Sequence, residues 1–198
     1  MLPPGTISKM MDYYYTRPKN QDEVLTAMRE FFNRPDLGPG AKLETGEFDN
    51  VLFNEWFTFD FVFKDGKRMP EKYYDDNPRK LPLYTLQVYK YLQDNFYSFF
   101  KVLEVNMGHN MLLKDLRDDK EYRVMEYKAT LSANPGLVIA NRIAKIGDSY
   151  ELVGCDTPCF DDNDFKGGIE EVIKRLMKVT SKLSPKETRE IFNRQLIS

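Results

Sequence analysis

The feature that most restricts the fold is a run of five short segments between residues 97 and 154, each rich in Val, Ile, Leu, Tyr and Phe. They span 98–106, 110–117, 120–127, 137–146 and 149–154. Between them stand MGHN, RDDK, SANPG and IGDS, clusters of Gly, Asn, Asp, Ser and Pro that mark turns. Within the segments side chains alternate, as in Leu112, Lys114 and Leu116 against Leu113, Asp115 and Arg117. So many strands in so short a stretch predict a small five-stranded antiparallel, barrel-like module. Closure or a covering helix would hide strand edges that otherwise invite foreign pairing. For the hairpin 110–127 the pattern predicts Leu112, Leu116, Tyr122 and Val124 buried. Lys114, Asp118, Asp119 and Lys120 are expected in water.

Ahead of this module, residues 1–96 read as a helical, aromatic-rich region. In 21–33, Val24, Leu25, Met28, Phe31 and Phe32 recur at helical spacing, with Asn20 as N-cap, Glu23 at the third position and Pro35 beyond the end. The stretch 47–63, EFDNVLFNEWFTFDFVF, is so dense in apolar residues that periodicity hardly discriminates; helix through about Asp60 is expected, and the last residues also suit an extended chain. KDGKR is a turn and 70–76 a short helix. Tyr84, Val88, Tyr91 and Leu92 then mark a stripe on a helix from Pro82 to Asn95.

Behind the module, taken as 97–160, residues 161–198 predict two helices. Ile169, Val172, Ile173, Leu176 and Val179 form the stripe of the first. Ser184-Pro185-Lys186-Glu187 is a specific helix start: serine caps, proline fits the first helical position and glutamate reaches back. Ile191, Phe192 and Leu196 are its packing face. The whole is an α+β chain with a helical N-terminal part, a small β module and a C-terminal helical pair.

Composition narrows the class. The 198 residues include 14 Phe, 12 Tyr and one Trp, and 41% are hydrophobic, enough for a core. A net charge of −2 gives no global basic field toward nucleic acid or anionic lipid. The first residues lack the charged start and apolar run of a secretory signal, and no apolar run approaches the roughly 20 residues of a membrane span. A cytoplasmic protein without a membrane anchor is expected.

Cys155, Cys159 and His109 give three zinc-type ligands where a structural site takes four, so two reduced thiols are expected and no metal. His109 lies in a turn with no nominated nucleophile. A calcium loop starting at Asp162 has Asp164 third and Gly167 sixth, but Lys166 fifth and Ile173 twelfth, where oxygen ligands are essential. The acid pairs Asp75–Asp76 and Asp118–Asp119 read as solvated turn residues. No catalytic residue and no cofactor are assigned. Trp56, Phe57, Phe59, Phe61 and Phe63 read as core, since large aromatics supply most of a small domain's buried area.

Two surfaces remain as sites. Phe99, Tyr122 and Tyr127 are a possible aromatic surface on the β module, of the kind on which bases stack. Residues 97–154 have eight Lys/Arg against eight Asp/Glu, so the module lacks the basic footprint that accompanies such stacking. The basic residues gather instead at 174–194, net +5, and Lys174, Lys178, Lys182 and Arg189 are the candidate contacts for a partner.

NEWFTFDFVF followed by 97–154 resembles a loose group of uncharacterised bacterial proteins with a W-F-x-F-D helix and a β module of pattern L-x-D-L-x-x-x-x-x-Y-x-V-x-E. Trp56, Phe57, Asp60, Asp115, Leu116, Tyr122, Val124 and Glu126 carry the resemblance. Many of that group end in a cysteine-rich SEC-C metal-binding motif, which this chain replaces with two helices. The resemblance implies a bacterial origin and the helix-plus-module layout, and transfers no activity. The function expected is that of a binding or adaptor protein without catalysis, with a protein as partner. A nucleic-acid- or ribosome-associated factor is second, and a small hydrolase or transferase third.

Overall fold

The computed structural model describes residues 1–41, 43–155, 159–160, 168–177 and 183–195, of which 176–177 and 191–195 by backbone only. Seven α-helices occur in this part of the chain: α1 Thr6–Tyr15, α2 Gln21–Phe32, α3 Glu47–Phe59, α4 Met69–Asp76, α5 Leu83–Tyr91, α6 Ile169–Met177 and α7 Pro185–Gln195. Six strands are β1 Asn95–Asn106, β2 Asn110–Asp115, β3 Glu121–Met125, β4 Val138–Ile146, β5 Ser149–Leu152 and β6 Cys159–Phe160. They form two compact units. One comprises Met1–Leu2 and Asp94–Leu183; the other comprises Pro3–Gln93 and Ser184–Ser198. Helix α6 thus belongs to the β unit and α7 to the helical one.

In the helical unit, α2 buries Val24, Ala27, Phe31 and Phe32, while Leu25 and Met28 stay half-buried. Asn20 stands at the N-cap position, yet its side chain donates to the Tyr13 carbonyl (3.4 Å) instead of capping. The helix continues out of a 3₁₀ turn over Pro18–Asn20, and Asn20 is already near helical dihedrals, which removes the extended backbone a capping box needs. Glu23 accepts from the Lys64 amide (3.2 Å). Asn33 ends the helix in the left-handed conformation, as asparagine can.

Helix α3 runs to Phe59 with Asp60 as its C-cap, after which the chain extends and alternates: Phe61 and Phe63 turn inward and Val62 outward. Trp56, Phe57, Phe59, Phe61 and Phe63 are all buried. Helix α5 differs from expectation. It stops at Leu92, so Asn95 opens β1, and the side it buries is Leu86, Tyr89 and Leu92. Of the expected stripe Tyr84, Val88, Tyr91 and Leu92, Tyr84 and Tyr91 are exposed, Val88 is half-buried and Leu92 is buried; a pattern with aromatic residues on both sides does not say which side is covered. Helix α7 starts at the serine as read: Ser184 Oγ donates to the Glu187 carboxylate and accepts from the Lys186 amide (3.2 Å).

In the β unit, five strands close into a ring. β1 pairs antiparallel with both β2 and β4, β2 with β3, and β4 with β5. The ring closes through β3 and β5, which run parallel at Val124↔Tyr150 and Met125↔Glu151, a departure from the all-antiparallel expectation. β1 to β5 alternate in direction along the chain, and a closed ring of five strands cannot alternate at every seam, so one neighbouring pair, β3 and β5, has to be parallel. The neighbours β4-β1-β2-β3 have Greek-key order. β1 is long enough to serve two partners because a register shift between Val102 and Glu104 bends it. The short β6, absent from the sequence reading, pairs with Val138 and Ile139 of β4.

The ring encloses Phe100, Val102, Met111, Leu113, Val124, Ile139 and Ile143. Gly154 is required here, because a Cβ would lie 2.3 Å from Asn141 Oδ1, which accepts from the Gly154 amide. The β2 register corrects the predicted hairpin: Met111, Leu113 and Asp115 point inward, and Leu112 shares the half-buried outer face with Lys114. Leu116 is buried because β2 has ended at Asp115 and the alternation no longer applies; its amide donates to the Phe99 carbonyl (2.9 Å). Val124 is buried, Tyr122 is half-buried, and Asp118, Asp119 and Lys120 face water as expected. Leu113→Ala should therefore lose about 2–5 kcal/mol and Leu112→Ala about 1 kcal/mol or less. A larger loss for Leu112→Ala than for Leu113→Ala in urea denaturation would show the faces exchanged.

Candidate binding surface

Of the three aromatics proposed for a surface, Phe99 is buried on the outer side of β1, its ring 6.1 Å from Phe160. It presents no face to a ligand. Tyr122 packs among Phe96 (5.5 Å), Tyr150 (5.1 Å) and Phe100 (6.3 Å) at the margin of the ring core. Only Tyr127 of the three is well exposed, at 58%.

Tyr127 does not stand alone. It follows β3, and its ring lies against Gly108 of the β1–β2 turn, where a Cβ would meet it at 3.5 Å. The Gly108 amide donates to Thr130 Oγ1 (2.8 Å), the Glu126 amide to the His109 carbonyl (3.2 Å), and the Ala129 amide to the Glu126 carboxylate (3.2 Å). These bonds fix the turn carrying Met107 and His109 against the 3₁₀ turn Ala129–Leu131. Met107 (68%), Tyr127 and Leu131 (53%) are large apolar side chains left in water around it. Beneath the same 3₁₀ turn lies a cavity of about 420 Å³, bounded by Met111, Ile139, Leu137, Ala129 and Ala133, with Lys128, Ser132 and Cys159 also lining it. A second exposed apolar group belongs to the helical unit: Leu83 (81%), Tyr84 (80%) and Tyr91 (37%) of α5.

The charges of the β module are largely matched locally. Lys114 faces Asp119 (2.7 Å), Lys120 faces Asp118 (2.9 Å) and Arg123 faces Glu104 (3.2 Å). Lys101 bonds Glu170 of α6 (2.6 Å), and this hydrogen bond, opposed by desolvation, holds the Glu170 carboxyl below its ordinary range. The Asp118 carboxyl is also low: burial, the largest single effect, raises it, and the side-chain and backbone hydrogen bonds from Lys120 with the charges of Lys120 and Arg117 together outweigh that. Asp75 is paired with Lys67 (2.7 Å).

Of the proposed basic contacts, Lys174 is exposed on α6, and Lys178 and Lys182 lie outside the described residues, as do Asp162 and Asp164. Arg189 is engaged in the helical unit: Nε donates to Asp49 (2.8 Å), and the guanidinium sits 4.9 Å from the Phe32 ring. Arg189→Glu sets a carboxylate beside Asp49 against an aromatic wall. It should destabilise this unit by about 2–3 kcal/mol, where an exposed basic residue would change stability by about 0.5 kcal/mol or less. Thermal unfolding of the variant checks this.

Cys155 is half-buried and Cys159 exposed, and they form no disulfide. Among the described residues no three His, Cys, Asp or Glu side chains are grouped to hold a metal, and no helix is long and apolar enough to cross a membrane. Sequence reasoning missed Met107, Leu131, Lys128 and the cavity. The signal was faint: Tyr127 and Leu131 are spaced as on one helical turn, inside a segment read only as a turn.

A family model described as a family of unknown function, DUF7986, matches residues 7–193, well beyond the stretch 50–154 that carried the sequence resemblance. No curated protein and no solved structure matches the chain.

Proposed function

Given that the chain belongs to the DUF7986 family of unknown function, we propose that it is a cytoplasmic binding or adaptor protein without catalytic activity. One observation carries this reading. Among the described residues six of the eight exposed large apolar side chains fall in two places, Met107, Tyr127 and Leu131 in one unit and Leu83, Tyr84 and Tyr91 in the other, with Met1 and Val62 apart from them. Grouped apolar residues in water mark recognition surfaces, whereas single ones carry no such meaning. Two groups on two units suit a protein that holds two partners. Lys174, Lys178 and Lys182 add long-range attraction for an acidic partner, an effect on association rate that salt removes.

The test is affinity capture from lysate, with nuclease, using the wild type and two variants: Met107→Ser/Tyr127→Ser/Leu131→Ser and Leu83→Ser/Tyr84→Ser/Tyr91→Ser. Each variant should lose a different set of captured proteins. Identical capture by all three overturns the reading.

A second reading is favoured by the Greek-key order of the five-stranded ring. That architecture, in OB-folds, binds single strands through the strand 2–3 face and neighbouring loops. This is analogy of fold, and the paired charges on the ring weigh against it. It requires capture that nuclease abolishes and that weakens steeply with salt.

A further inference from the structure

We propose that the cavity of the β unit binds a compact apolar group that ends in a carboxylate. The proposal concerns the cavity itself and stands apart from the exposed apolar groups on which the adaptor reading rests.

The cavity follows from the way the chain returns from β3 to β4. The loop crosses the bent part of β1, held by Val102 N–H donating to the Leu137 carbonyl (2.8 Å) and Gly136 N–H donating to the Val102 carbonyl (2.8 Å). Beside this crossing, Ala129 and Ala133 occupy wall positions where larger side chains would fill the space. Its volume of about 420 Å³ falls in the range of small-molecule sites, about 300–1,000 Å³.

The lining is graded. Met111 (1% exposed) and Ile139 (2%) form a buried apolar floor; Ala129, Ala133 and Leu137 are half-buried walls; Lys128, Ser132 and Cys159 are exposed and form the rim. Methionine adapts its shape to irregular apolar contents. Among the described residues no carboxylate lines the cavity. Lys128 makes no ion pair among the described residues, while Lys101, Lys114, Lys120 and Arg123 each face a carboxylate. The nearby Glu126 carboxylate already accepts from the Ala129 amide. An apolar floor under a cationic and hydroxyl rim fits a ligand that is apolar at one end and anionic at the other. A carboxylate accepts from both the ammonium and the hydroxyl; an ammonium ligand would meet Lys128 as a like charge.

Cys159 supplies the readout. In a Cys155→Ser protein it is the remaining thiol, and its alkylation by iodoacetamide reports access to the rim. Octanoate should slow alkylation about tenfold when present at about ten times its dissociation constant, by mass action. Octylamine should give no protection. Lys128→Gln, an exposed change that leaves the fold intact, should reduce octanoate protection to that given by octanol. Ala133→Trp should fill the cavity and remove protection by both. A second arm uses an acetylated dipeptide ending in leucine, as the acid and as the amide. Protection by the acid alone, without octanoate, assigns the same chemistry to a protein C-terminus. Protection by neither octanoate nor the acid peptide, or equal protection by octanoate and octylamine, overturns the proposal.

Discussion

A Phe57→Ala protein should lose about 3–5 kcal/mol of stability, the range for deleting a buried aromatic. Phe57 is fully buried on α3, at the point where four rings converge: Tyr15 at 5.1 Å, Phe61 at 5.4 Å, Phe53 at 5.7 Å and stacked, and Phe63 at 5.7 Å. Ring pairs of this kind add about 0.5–1.5 kcal/mol beyond area burial, and the flat neighbours cannot collapse into the space a benzyl group leaves. Trp56, the single tryptophan, contacts Phe31 and Phe61 of the same unit. Its fluorescence during urea unfolding therefore reports this core. Phe57→Leu retains most of the volume and should lose about 1–1.5 kcal/mol. A loss under about 1 kcal/mol for the alanine variant would show that the cluster is loosely packed.

Asp115→Ala should destabilise the β unit by about 3 kcal/mol. Asp115 is wholly buried at the end of β2 and accepts three hydrogen bonds: from Ser98 Oγ (2.6 Å), the Arg117 amide (2.9 Å) and Arg117 Nη2 (3.1 Å). Bonds to a charged group are worth about 1.5–3 kcal/mol each, but the Arg117 side chain is 32% exposed and regains water when released, so its share is discounted. Ser98 is fully buried and is left with an unmade bond. Asp115→Asn keeps the acceptor that Ser98 and the Arg117 amide use, and should lose about 1 kcal/mol. Amide hydrogen exchange at Leu113 and Lys114 is the local measurement. Unchanged protection in the alanine variant would mean that the turn holds without its carboxylate.

The strands were legible because their alternation and turn residues agree, and local agreement of that kind survives folding. The ring's closure was legible only as an expectation that edges need cover. Its parallel pair was not, because Val124 and Tyr150 carry no mark of each other in sequence. The hairpin faces show a finer limit. Leu112 and Leu113 are both leucine, so the choice between them rested on neighbours; the burial of Asp115 depends on Ser98, distant in the chain. The same holds for Arg189. A basic residue on an amphipathic helix reads as solvated, and only the fold brings Asp49 to it. On α5 Leu92 of the expected stripe is buried but Tyr84 and Tyr91 are exposed and Tyr89 is buried instead, because the three tyrosines look alike until one knows what covers them. The cavity was beyond reach from sequence, since it is made by alanines, whose contribution is the space they leave.

The double pairing of β1 has a kinetic consequence. Strands β1, β2 and β3 are successive hairpins whose contacts close short loops, so they can assemble in microseconds. The β4–β5 hairpin is also local, but the two seams that close the ring, β1–β4 and β3–β5, wait on a remote event: Asn95 at the start of β1 must meet Ala144 of β4, with nearly the whole module between them in sequence. Until then the second edge of β1 hangs open, carrying Tyr97 and Phe99 into solvent. High contact order of this kind slows folding. A nascent chain would thus expose its stickiest strand from the moment β3 is made until β4 and β5 emerge. Substitutions that hasten the return between β3 and β4 should improve the yield of folded protein without altering the final stability.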